Sequence, residues 1–193
     1  MVVLGAVVLL ASCGVTKPGD LDPSCIRGSC VFVSGAPRPL DGRDMAFTAI
    51  TSNESASDSI SLLSVKLVDA VGMELVDTVT VSPNNQIGIG LPIPPEPGDF
   101  DSTGVPESEA DQVANWAKRT SLADSVIPPG NALQLVLVIR VTSPDQCVYA
   151  KGFTVTYKQG NRSHSVDSNH GFIAHTSDDP CDATTEYLLS HPF

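Results

Sequence analysis

Ala132-Leu133-Gln134-Leu135-Val136-Leu137-Val138-Ile139-Arg140-Val141-Thr142 is the stretch that decides the fold. Leu133, Leu135, Leu137, Ile139 and Val141 lie on one face of an extended chain. Gln134, Val136, Val138 and Arg140 lie on the other. A strand apolar on nearly every position is one covered on both sides, so this run predicts the central strand of a sheet. Turn formers bound it: Ile127-Pro128-Pro129-Gly130-Asn131 before, Pro144-Asp145 after.

Working outward, the same two-residue period recurs. Downstream, Gly152 to Lys158 sets Phe153, Val155 and Tyr157 against Thr154 and Thr156. Gln159-Gly160-Asn161 turns, and Ser163 to Ala174 returns as a last strand. Upstream, Cys30 to Val33 is a short apolar run interrupted by Pro37 and Pro39. Met45 to Thr51 is β-prone, and Asn53 to Asp58 is a polar turn. Leu62 to Val68 places Leu63, Val65 and Leu67 on one face. Met73 to Val81 places Leu75, Asp77, Val79 and Val81 on one side, with Val76, Thr78 and Thr80 on the other. Two such runs around Val71-Gly72 predict a hairpin. The tail from Thr176 is weakly apolar at Tyr187-Leu188-Leu189 and is assigned no element.

Residues 82–128 break the rhythm. Pro83, Pro92, Pro94, Pro95, Pro97 and Pro106 exclude a central strand through most of this segment. A helix is predicted over Glu107 to Arg119, with Glu107, Glu109 and Asp111 at its positive end and Lys118 and Arg119 at its negative end. Val113 and Trp116 form its apolar stripe. The expected architecture is an all-β, immunoglobulin-like antiparallel sandwich of about seven strands, with one short helix in a Pro-rich insertion. The cysteine and tryptophan spacing of antibody domains is absent, so the likeness is one of architecture.

The chain has 193 residues and a formal net charge of -11. No basic stripe exists to neutralise phosphates, which excludes nucleic acid as a partner and disfavours docking on anionic lipid. Of five cysteines, one stands in the first thirteen residues. Cys25, Cys30, Cys147 and Cys181 remain, an even number that predicts disulfides outside the cytoplasm. Cys25–Cys30 and Cys147–Cys181 are the preferred pairs among three connectivities. The spacing is not that of a zinc ribbon.

Leu10-Ala11-Ser12-Cys13 closes the apolar run Val2 to Leu10. An aliphatic residue, two small residues and a cysteine resemble the lipobox of bacterial lipoproteins. Residues 1–12 carry no Lys or Arg, where that family has a basic start. The run is too short for a membrane span of about 20 residues and fits a signal-peptide h-region. The resemblance implies a signal peptide over 1–12, cleavage before Cys13 and acylation of its thiol. Residues 13–29, broken by Gly14, Pro18-Gly19 and Pro23, would then be a lipidated tether below a domain over 30–193. It further implies a membrane-attached protein on the extracytoplasmic face of the cell membrane, with an envelope protein as a possible partner.

Catalytic signatures are missing: there is no Gly-x-Ser-x-Gly, His-Glu-x-x-His or Walker loop. His164 and His170 share strand parity, and with Met45 or Met73 they are weak candidates for a copper site. With His175 and His191 they are otherwise expected to face solvent. Asp99, Asp101, Glu107, Glu109 and Asp111 lack the regular calcium-loop spacing and read as a solvated acidic segment. Asn53-Glu54-Ser55 and Asn161-Arg162-Ser163 match glycosylation sequons by pattern, which in a bacterial lipoprotein would be chance. Trp116, the one tryptophan, is the candidate partner-binding residue, against the plainer expectation that it packs the insertion onto the sheet. The expected function is a non-catalytic binding or scaffolding module of the envelope that needs no cofactor. The alternative is a metal or small-ligand binding lipoprotein using the late histidines.

Overall fold

A computed structural model describes residues 19–23, 31–39, 42–96, 109–176 and 181–191. Two sheets pack face to face. In the first, the order is β1 (Leu21–Asp22), β3 (Asp44–Asn53), β9 (Ala132–Val141), β5 (Met73–Val81), β7 (Thr120–Ser121), with β6 (Pro92–Ile93) paired to β3. The strand over 132–141 is therefore central, as its composition predicts.

The second layer has two parts. β12 (Arg162–Ser168), β11 (Gly152–Gln159), β4 (Ile60–Val68) and β8 (Val126–Ile127) form one; β10 (Cys147–Ala150), β13 (His170–His175) and β2 (Phe32–Pro37) form the other. Only Lys151 separates β10 from β11, and only Asn169 separates β12 from β13. One long hairpin thus runs through both parts, antiparallel from Gln159↔Arg162 to Cys147↔His175. Its register changes between Phe153↔Ser168 and Ala150↔Phe172, where three residues oppose two. An extra residue on one side is a bulge, and it bends the pair. Counted through such breaks, the described residues hold seven principal strands beside four two-residue pieces.

The core between the layers takes Phe47, Ala49, Leu135, Leu137 and Ile139 from the first sheet. It takes Ile60, Leu62, Phe153, Val155, Tyr157 and Phe172 from the second. Each layer is also covered outside. Val79, Val81, Val136 and Val138, on the outer face of the first sheet, pack under Ile87, Leu91, Ile93 and Trp116 of the insertion, which carries α1 (Glu109–Ala117). Ile173, on the outer face of β13, packs against Cys181 and Leu188 of a second helix segment, α2 (Asp182–Ser190).

Several expectations need correction. The runs around Gly72 do not form a hairpin: β4 and β5 lie in different layers. Gly72 (φ +70°) turns the chain across the sandwich, against Val148, whose Cγ1 would lie 2.5 Å from an added Cβ. The strict alternation in both runs also fails. A bulge sends Leu63 out to 49% exposure and turns Leu62 and Val65 inward. A second bulge at Val76 puts Leu75 on the core side and Val79 and Val81 on the other, although all three share parity. The tether expected over 13–29 is strand at Leu21–Asp22, with Leu21 fully buried. The tail, assigned no element, holds α2.

Pro37, expected to interrupt a strand, instead ends β2. The amides of Phe32 and Arg38 reach Asn169 and His175 carbonyls across the parallel β2–β13 pair. Alternation then turns position 37 away from β13, where a missing N–H removes no bond of the pair.

Candidate functional site

The bulge in the long hairpin brings a serine and a histidine together. Ser34 of β2 and His170 of β13 are both 6% exposed, and Ser34 Oγ lies 2.6 Å from His170 Nε2. The His170 ring meets Phe32 edge-on at 4.8 Å and Phe172 at 4.9 Å between centroids. Its backbone N–H donates to Ser168 Oγ. Apolar walls disfavour imidazolium, so burial lowers the pKa of His170 to about 4. Burial alone accounts for that shift. A hydroxyl this close to a neutral imidazole has the spacing of a nucleophile and its base. Catalysis also needs the base oriented by a third group and a site for the reacting atom. The hydrogen bond joins the edge strand β2 to the hairpin.

The other histidines are dispersed. His164 shares strand parity with His170, as expected, but six residues apart on an extended chain is about 20 Å. It is half-buried and stacks on Tyr157 at 5.3 Å. His175 Nδ1 bonds to the Thr176 carbonyl at 2.8 Å, and exposed His191 stacks on Tyr187 at 4.8 Å. The expectation of solvent-facing histidines is corrected for His170, which the bulge carries into the interior. Among the described residues no group of three His, Cys, Asp or Glu is placed to hold a metal.

Trp116 is half-buried against the outer cluster of the first sheet, and the Arg119 guanidinium lies 4.5 Å over its ring. The plainer reading of packing describes that geometry. Sequence reasoning missed the amides that hold the insertion beside it. Gln134 accepts from the Ile87 N–H at 2.8 Å and donates to the Ile87 carbonyl at 3.0 Å. Gln112 accepts from Gly88 N–H at 3.1 Å, and Asn115 donates to the Gln86 carbonyl at 3.1 Å. All three side chains are buried. The available signal was Gln134 itself, a polar residue within an apolar run, which demands a partner once buried.

Cys147 and Cys181 are bonded, with Cα atoms 5.9 Å apart. This preferred pair ties β10 to the start of α2. Cys181 precedes α2 and packs with Leu188 against Ile173. The pair Cys25–Cys30 and the lipidation candidate Cys13 lie outside the described residues, as do Asp99, Asp101, Glu107 and the Glu109 side chain. Asp111 is exposed on α1. Asn53 is buried, its amide donating to the Asp58 and Ile127 carbonyls at 2.8 and 2.9 Å. That leaves it inaccessible as a sequon. Asn161 is exposed on the hairpin turn.

No protein-family model matches the sequence, and no curated protein matches it. Among solved structures the chain is similar to the Vibrio cholerae VesB protease, at 8% identity and a TM-score of 0.33. The match covers 76% of this chain and 31% of that one, and a likeness so distant carries no argument.

Proposed function

We propose that this chain is an exported, lipid-anchored binding or scaffolding module of the bacterial cell envelope, without catalytic activity, attached through an acylated Cys13. The Cys147–Cys181 bond carries the reading. Persistent disulfides belong to oxidising compartments, so a bonded pair supports export, in the same direction as the lipobox-like Leu10-Ala11-Ser12-Cys13. No helix among the described residues is long and apolar enough to cross a membrane. Attachment by acyl chains at ~0.8 kcal/mol per buried CH₂ needs none.

The sandwich supports a binding role by its rigidity. β9 is buried on both faces and both layers are covered, which leaves turns and helix surfaces as the recognising parts. Metabolic labelling with an alkyne fatty acid tests the anchor: label is expected on the wild type and lost in Cys13→Ser. A native protein with a bare Cys13 thiol and residues 1–12 attached overturns it. Crosslinking in intact cells tests the role. It should capture one recurrent envelope neighbour, and random capture overturns a specific scaffold.

A further inference from the structure

We infer that the N-terminal segment is clamped so that the end of the sandwich bearing Asn131 and Asn161 faces the bilayer, an inference that rests on the lipid-anchor reading. Three residues make the clamp. Leu21 is fully buried and pairs with Asn53 of the first sheet. The Asp20 carboxylate accepts from Gln159 Nε2 of the second sheet at 2.6 Å, while the Asp20 carbonyl accepts from the Glu54 N–H at 2.8 Å. Gly19 (φ +93°) runs against Tyr157, whose hydroxyl leaves no room for a Cβ there. Both layers therefore hold the chain at one point.

Covalent geometry then limits the distance to the anchor. Six steps separate Cys13 from Gly19. At no more than ~3.6 Å each, an acylated Cys13 lies within about 22 Å of the clamp. Around the clamp sit the turn after Asn53, the Gly130-Asn131 turn bonded to Asn53, and the Gly160-Asn161 tip between β11 and β12. At the opposite end lie Asp44, Val141 and the Cys147–Cys181 bond. β3 alone runs nine steps from Asn53 to Asp44, about 30 Å.

The clamped rim is the one within reach of lipid headgroups, and α2, which starts at the Cys147–Cys181 bond and lies along β13, is farther from them. With α2 goes the stack Tyr149–Tyr187–His191, its centroids 6.1 and 4.8 Å apart, and Lys151 Nζ 5.4 Å over Tyr187. Among the described residues of the rim, Asp20, Asp22, Glu54 and Asp58 outnumber Lys158 and Arg162. An anionic surface repels it, so the rim stands near the headgroups without adhering.

The test uses the full acylated chain in vesicles carrying a headgroup-linked acceptor dye. A fluorescent amino acid is introduced by codon suppression at exposed Asn161 or at Leu189, 49% exposed on α2. Transfer from position 161 is expected to exceed transfer from 189 several-fold. The double variant Tyr157→Phe, Gln159→Ala should narrow the gap. Mass of the N-terminal peptide is read from the same sample. Equal transfer in an acylated chain overturns the orientation alone, and an unchanged gap in the double variant overturns the clamp as its cause. An unacylated residue 13 overturns the anchor and this inference with it.

Discussion

The two outer covers of the sandwich solve one problem by different means. Over the first sheet, the insertion brings Ile87, Leu91, Ile93 and Trp116 onto four valines, and buried amides tie its backbone to β9 and α1. Over β13, α2 brings little apolar surface, with Leu188 its one buried residue, and a disulfide holds its start. A cover with enough apolar area stays by burial and hydrogen bonding. A cover without it needs a covalent link, because one leucine yields only about 1.5–3 kcal/mol against the entropy of ordering nine helical residues.

Removing the link breaks this contrast most directly. Cys147→Ser with Cys181→Ser opens a loop with a separation of 34 residues, and the chain-entropy relation then gives a loss of about 4 kcal/mol. Urea unfolding should show it, with α2 exchanging its amides early. An unchanged midpoint would mean that α2 holds by packing alone.

Acid should act on the same side. Folded His170 takes up its proton only near pH 4, whereas the unfolded side chain does so near 6.5. The unfolded state binds more protons between those values, so stability is full above about pH 6.5 and falls as pH drops toward 4. The total is about 3 kcal/mol. Thermal melts from pH 7 to 4 should follow that slope, and His170→Gln should flatten it.

Smaller effects are expected at the insertion. Gln134→Ala leaves the Ile87 N–H and carbonyl buried without their partner, at a cost of about 2 kcal/mol. Limited proteolysis should then cut near residue 87 before global unfolding. Trp116→Ala removes a half-buried ring and its Arg119 contact, for about 1–2 kcal/mol. If it left protease resistance and the midpoint untouched, Trp116 would not be part of the cover.

Much of this frame was legible beforehand. Ala132 to Val141 announced a strand covered twice, because nine of its ten positions avoid charge and alternate faces both need apolar cover. Phe153, Val155 and Tyr157 marked β11 for the same reason, and the Cys147–Cys181 pair came from counting. The misread faces all trace to bulges. At Leu63 and Val76 one extra residue reverses every later side chain on its strand, and nothing local distinguishes a bulged valine from a paired one. The Ser34–His170 contact spans 136 positions, and no periodicity connects residues so far apart.

What the amino-acid order determined unaided was which segments are extended, which of them must be covered on both faces, and which cysteines are available to bond. Those follow from local sterics and from the two-residue period of a strand. Only the folded chain decided that β4 and β5 lie in opposite layers, that Gly19–Asp22 joins them at one rim, and that a histidine is drawn inside. Each of these depends on pairing between distant segments, where a single bulge changes the face a side chain presents.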